Sequence, residues 1–181
     1  MVLNGNSRET IEACRRGDHD AFRALFEAYQ DKIYSIALRY SGDSVAAMDI
    51  AQETFLKLLS AIQGFRSESN FETWLYRLVV NACLDHHRRV RRWIPLPDGV
   101  LAVGESILQR VLRGERREQV ESSVAKLPPD QRIVVVLRYT EGLAYEEIAE
   151  ILGISEGTVA SRLHRAHKTL ERRLSNWRSS L

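Results

Sequence analysis

From Phe22 to Tyr40, apolar side chains fall at Phe22, Leu25, Phe26, Tyr29, Ile33, Ile36, Ala37 and Tyr40. Steps of three and four residues keep returning to one face of a helix, whereas a half-buried strand needs steps of two. This stripe commits the segment to an amphipathic helix, and Gly42 just beyond it suits the position past a helix end. The same rhythm recurs twice. Val45, Met48, Phe55, Leu58, Leu59 and Ile62 predict a second helix with those side chains inward, closed by Gly64. Phe71, Trp74, Leu75, Leu78, Val79, Ala82 and Cys83 predict a third after the polar stretch from Arg66 to Asn70. No alternating pattern of strand type emerges. The β-branched run Ile133 to Leu137 is flanked by residues that favour a buried helix. The expected fold is all-α.

The helical pattern stops at Trp93-Ile94-Pro95-Leu96-Pro97-Asp98-Gly99, because proline lacks the donor and restricts the residue before it. Two small helical domains joined by a flexible linker are therefore expected, over residues 10–92, 93–113 (linker) and 114–181. Ile107, Leu108, Val111 and Leu112 hint at a short helix within the linker, ended near Gly114. In the second domain a helix ends at Leu127, and Pro128-Pro129-Asp130 starts another that stops at Glu141-Gly142. Tyr145 to Leu152 forms a short helix with Ile148, Ala149 and Leu152 inward. Gly153-Ile154-Ser155 is a tight turn in which glycine supplies a positive φ and Ser155 caps the last helix, which runs from about Glu156 to Trp177. Helix, three-residue turn, helix is a helix-turn-helix signature. In the last helix Val159, Leu163, Ala166, Leu170 and Leu174 point inward, leaving Ala160, Ser161, His164, Arg165, Lys168 and Arg172 outward. Small and polar residues followed by cations suit a reader of the DNA major groove.

The charge is nearly balanced, +2 overall, but unevenly placed. Arg88, Arg89, Arg91 and Arg92 form one basic run, and Arg162, Arg165, Lys168, Arg172, Arg173 and Arg178 a second with Glu171 the single acid among them. Two basic patches on a nearly neutral chain suggest two docking places for a polyanion. The longest apolar run is five residues, far short of a bilayer span, and the N-terminus has no secretory signal, so a cytoplasmic protein without membrane insertion is expected. Cys14 and Cys83 lie too far apart in sequence for a C-x-x-C pair, which argues against a disulfide framework or structural zinc. No nucleophile motif or Gly-rich phosphate loop is present, so neither an enzyme nor a cofactor is expected.

Asp49, Gln52 and Glu53 share a helix face beside the apolar stripe. The segment Asp49-Ile50-Ala51-Gln52-Glu53-Thr54-Phe55 resembles the core-polymerase-binding motif of bacterial sigma factors. Phe71-Glu72-Thr73-Trp74-Leu75-Tyr76-Arg77-Leu78-Val79-Val80-Asn81 resembles their promoter-melting segment. Leu127-Pro128-Pro129-Asp130-Gln131-Arg132, Gly142-Leu143-Ala144-Tyr145-Glu146-Glu147-Ile148-Ala149 and Gly157-Thr158-Val159 are similar to their helix-turn-helix domain. The order and brevity match the extracytoplasmic-function (ECF) group, and the likeness spans nearly all of residues 15–175.

The resemblance implies an alternative sigma factor with a region-2-like domain at 10–92 and a region-4-like domain at 114–181. It assigns docking on the β′ subunit of core polymerase to Asp49, Gln52, Glu53 and Phe55, with the β subunit also a partner. It assigns −10 promoter contact to Phe65, Arg66, Asn70, Arg77, Asn81, Asp85, Arg88 and Arg89, with a flipped base read by amide and carboxylate groups. It assigns −35 contact to Ser161, Arg162, His164, Arg165, Lys168 and Arg172. An anti-sigma protein is the implied regulator. Ala160 and His164 depart from residues common in the family; alanine offers a thymine methyl apolar contact and little else, so the −35 preference does not carry over. Two other readings are open to the residues alone. One is a helix-turn-helix regulator acting without polymerase. The other is a metalloenzyme using Cys83, Asp85, His86 and His87, or His164 and His167.

Overall fold

A computed structural model describes residues 8–65, 70–93 and 115–178. Among them every regular element is helical: α1 (Arg8–Arg15), α2 (His19–Ser41), α3 (Ser44–Ala61), a 3₁₀ turn (Ile62–Gly64), α4 (Phe71–Trp93), α5 (Glu115–Ala125), α6 (Pro129–Tyr139), α7 (Tyr145–Leu152) and α8 (Glu156–Arg178). The short helix expected near Ile107 to Leu112 lies outside the described residues.

Local chemistry sets the boundaries. Asp18 accepts hydrogen bonds from the backbone N–H of Asp20 (2.9 Å) and Ala21 (3.0 Å), capping α2. Gly42 takes φ +73°, and its N–H closes on the Leu38 carbonyl, ending α2. Asp43 then accepts from Ala46 N–H at 2.8 Å and starts α3, so two residues suffice to fold α3 back along α2. Leu25, Ile33, Ile36 and Ala37 of α2 are fully buried, as the stripe predicts. Burying each leucine or isoleucine among them stabilises the fold by about 1.5–3 kcal/mol. Phe26 is the exception, 39% exposed, with its ring 4.5 Å from that of Phe55.

The phase of α3 differs from the sequence expectation. Ala47, Ile50, Thr54 and Leu58 face the core, whereas Val45, Met48 and Leu59 are 70%, 62% and 50% exposed. Counting large apolar residues gives Val45 and Met48 more weight than Ala47 and Thr54. A closely packed helix pair favours the opposite choice. The small Ala47 permits close approach, and Thr54 buries at little cost because its hydroxyl donates to the Ile50 carbonyl at 2.8 Å.

In the C-terminal half, Ile133 to Leu137 are all buried within α6, so the β-branched run is a central helix. The turn between α7 and α8 has the expected chemistry: Gly153 at φ +64°, and Ser155 Oγ accepting from Thr158 N–H at 3.2 Å. Val159, Leu163 and Ala166 hold α8 to the core, with Leu170 packed against its edge. The helices of both halves contribute to one continuous apolar core, with α2 packed on α5 and α6, and α4 on α6 and α7. No described helix is long and apolar enough to cross a membrane.

Candidate functional site

Three of the long helices, α3, α4 and α8, each present a polar face. On α3, Asp49 and Gln52 are exposed and Glu53 is half-buried, and all three line a groove between α3 and α4 together with Leu56, His86, Arg89 and Val90. Glu53 is held on both sides. Lys57 lies 2.8 Å away one turn along, and Arg89 reaches across from α4. Burial pushes the Glu53 carboxyl up, but hydrogen bonds from Lys57 and Arg89 outweigh it and leave the group below the usual carboxylate range. Phe55 sits on the other shoulder of α3, half-buried against Phe26, so it is not grouped with Asp49 and Glu53. The outward-turned Val45, Met48, Leu56 and Leu59 recur at three- and four-residue steps around Gln52, forming an exposed apolar stripe between these shoulders. Apolar spacing alone assigns Val45, Met48 and Leu59 to the core and so misses them as surface. Their intervals of four and seven residues from Gln52 are the signal that could have found them.

On α4, Asn70, Arg77, Asn81, Asp85 and Arg88 follow steps of seven, four, four and three, and so form a single stripe. Asn70 Oδ1 accepts from Glu72 N–H at 2.9 Å and caps the helix. Asn81 is exposed one turn before Asp85, whose carboxylate is bracketed by Arg88 (2.9 Å) and Lys57 (3.2 Å). Arg77 donates to the Glu150 carbonyl at 2.9 Å. Arg89 lies off this stripe, toward α3 and Glu53. Phe65 is 4% exposed, with its ring 5.5 Å from Phe71 edge-on and 5.0 Å from Trp74. It braces the start of α4 from within. Arg66 lies outside the described residues.

On α8, Ser161, Arg165, Lys168 and Arg172 follow steps of four, three and four, with His164 beside them; all but the half-buried Ser161 are exposed. The Ser161 hydroxyl donates to the Thr158 carbonyl at 2.9 Å. Arg162 turns away from that row, toward Asp130 of α6 at 3.6 Å.

His86 and His87 point apart, as adjacent helical residues must. His86 lines the α3–α4 groove, and burial followed by the Arg89 charge lowers its pKa. His87 is also lowered, by burial and then by Arg132. Tyr139 and His167 meet at 2.7 Å on the surface. Cys14 and Cys83 are buried free thiols, and burial pushes Cys83 up to about 12. Such a thiol is not a nucleophile near neutral pH.

Known proteins share this arrangement. Residues 25–93 match the family model for sigma-70 region 2, and residues 117–170 that for sigma-70 region 4. The chain is 34% identical to the RNA polymerase sigma-H factor of Pseudomonas aeruginosa, covering 96% of each protein. It is 32% identical to the ECF sigma factor SigW of Bacillus subtilis over 92% of this chain and 96% of that one. Its fold resembles CnrH, solved with the cytosolic domain of CnrY, with a TM-score of 0.71 at 23% identity, covering 95% and 98% of the two chains. It also resembles the sigma factor RpoE of Bartonella quintana, solved with the anti-sigma factor NepR, with a TM-score of 0.69 at 25% identity, covering 85% and 96%. The chain belongs to the ECF group of bacterial RNA polymerase sigma factors, and is an alternative sigma factor rather than an enzyme or a regulator that works without polymerase.

Proposed function

We propose that the three faces divide the work of promoter selection. The α3 face, with Asp49, Gln52, Glu53 and the apolar stripe, docks on the β′ subunit of core polymerase. Phe55 supports it from below. The observation that carries this reading is the exposure of Val45, Met48, Leu56 and Leu59 on the same helix face as Gln52. Four large apolar side chains turned to solvent in a row favour a protein partner over a nucleic acid.

The α4 stripe takes the −10 strand. Asn81 and Asp85 offer hydrogen-bonding groups to an unstacked base, while Arg77 and Arg88 meet phosphates; Arg89, paired with Glu53 across the α3–α4 groove, would have to leave that partner to join them. Asn70 caps the entry to that helix and Phe65 positions it, with Arg66 the remaining contact assigned to this strand. The α8 row takes the −35 major groove: Ser161, His164 and Arg165 near the base edges, and Lys168 and Arg172 toward the backbone, with Arg162 outside the row on the Asp130 side. Residues 10–92 and 114–181 form the two working domains, joined by a linker at 93–113. The protein works in the cytoplasm, needs no cofactor, and is a candidate for control by an anti-sigma protein of the kind seen with the Bartonella relative.

Transcription in vitro on fragmented genomic DNA, with and without bacterial core polymerase and with 5′-end sequencing, tests this reading. New starts that need both proteins and share two motifs at fixed spacing are expected. Tight duplex binding by the chain alone, without any starts, would overturn it.

A further inference from the structure

One lysine joins an acid of the α3 face to an acid of the α4 stripe. Lys57, one turn beyond Glu53 on α3, places its ammonium 2.8 Å from the Glu53 carboxylate and 3.2 Å from that of Asp85 on α4. Arg89 takes the other oxygen of Glu53, and Arg88 lies 2.9 Å from Asp85. Cations and acids therefore alternate across the two helices in the order Arg89, Glu53, Lys57, Asp85, Arg88, and each acid stands between two cations. Lys57 itself lies off the α4 stripe and has no part in the docking or strand contacts assigned above.

Stability alone does not account for this lysine. Glu53 keeps Arg89 without it, and part-exposed ion pairs contribute little. What Lys57 adds is a second direction of hold on Asp85. Its ammonium donates to Oδ2, while Arg88, on α4 itself, donates to Oδ1. A carboxylate gripped through both oxygens from two different helices loses its freedom to rotate, yet each oxygen keeps a lone pair for a further donor.

The two grips are unequal. The Arg88 side chain is 71% exposed and is assigned to a phosphate, so it can swing toward the strand when DNA arrives. Lys57 is 36% exposed and is held by Glu53 from its own helix. Hydrogen bonding to Glu53, opposed by burial and joined by Asp85, raises its pKa, so the ammonium stays charged. With Arg88 turned to a phosphate, an Asp85 lacking Lys57 would be a mobile negative charge repelled by a polyanion.

We propose that Lys57 is a positioning residue for −10 reading: it holds the Asp85 carboxylate beside Asn81 as the acceptor for a base with an exocyclic amino group. A residue of α3 then sets how sharply α4 discriminates between bases. Adenine, cytosine and guanine carry such a group and thymine does not, so the discrimination is against thymine. This rests on the assignment of the α4 stripe to the −10 strand. Holding a recognition group in place before the ligand arrives sharpens its selectivity, because a loose acceptor can turn to suit the wrong base.

Holoenzyme at saturating bacterial core tests this on a promoter recovered from the genomic transcription, with all four bases placed in turn at each −10 position. The wild type is expected to disfavour thymine about tenfold at one position. Lys57→Met should reduce that discrimination several-fold, and Lys57→Arg should restore most of it. Adding Lys57→Met to Asp85→Asn should cost nothing beyond Asp85→Asn alone, since the lysine acts through the acid. Circular dichroism should show Lys57→Met folded, with the salt slope of promoter binding unchanged. Intact discrimination in Lys57→Met would overturn the proposal, as would additive losses in the double variant. A salt slope lower by about one, with uniform weakening across all sequences, would also overturn it and make Lys57 a phosphate contact. If Asp85→Asn left every −10 preference intact, the strand assignment of Asp85 would fall, and the proposal with it.

Discussion

Replacing Ile50 and Met48 in turn by alanine separates the two faces of α3. Ile50 is fully buried and Met48 is 62% exposed, although both are large apolar residues two positions apart. Truncating a buried isoleucine removes its transfer free energy and leaves a cavity, together costing about 2–5 kcal/mol. At about 3 kcal/mol, a chain of this size should lose about 6–12 °C in Tm. Met48→Ala removes surface atoms and should stay within about 0.5 kcal/mol of the wild type. Binding to core polymerase should reverse the order. Loss of one methionine from the docking stripe should weaken core affinity about tenfold, or about 1.4 kcal/mol, as for a modest interface hot spot. Ile50→Ala, below its melting temperature, should bind core almost normally. Thermal melts by circular dichroism and a fluorescence titration with core measure the two effects. If Met48→Ala melted as low as Ile50→Ala, the phase of α3 described above would be wrong, and the docking face with it.

Three further outcomes follow from the same structure. Glu53→Gln should lower the melting temperature at neutral pH by the equivalent of about 1 kcal/mol or less, since Lys57 and Arg89 lose their partner. Because the folded carboxyl lies below its unfolded value near 4.3, that contribution is present above this pH and lost as pH falls through the folded value. The gap between variant and wild type should therefore close in acid, and a gap constant from pH 6 to pH 3 would contradict the pairing. Gly153→Ala meets no atom within 4 Å, so its cost is that of a left-handed backbone alone, about 1–2 kcal/mol, read as a lowered denaturant midpoint. Lys168→Ala should reduce the salt slope of holoenzyme binding to a −35 duplex by about one, with little change in sequence preference. An unchanged slope would remove Lys168 from the phosphate contacts.

Helix identity is legible in the sequence because spacing and punctuation are local. Gly42, Pro129, Gly153 and Ser155 each act on the backbone within a few residues, so their meaning is written beside them; the caps at Asp18 and Asp43 are equally local but emerge only with the structure. The stripes on α4 and α8 are legible for the same reason. The inward face of α3 is not, because choosing between Ala47 and Met48 requires knowing how closely α2 approaches. The short α1, with Thr10, Ile11, Ala13 and Cys14 buried, has too few turns to register as a helix. Arg132 stands in plain view as the end of a motif. Its pairing with Tyr40 spans 92 positions, and nothing local to either residue announces it.

The neutralisation of Glu53 by Lys57 and Arg89 leaves the α3 face with its apolar stripe beside a single exposed acid, Asp49, whereas the α8 row keeps a run of cations exposed to solvent. Capture by polymerase and capture by promoter should then answer to different variables. Added salt should strip DNA from the holoenzyme long before it releases the subunit, because phosphate contacts compete with counterions and apolar contacts do not. Cooling should act the other way, loosening the subunit from core as apolar association weakens. A cell that concentrates its ions would silence such a factor at the promoter while leaving it seated on the enzyme.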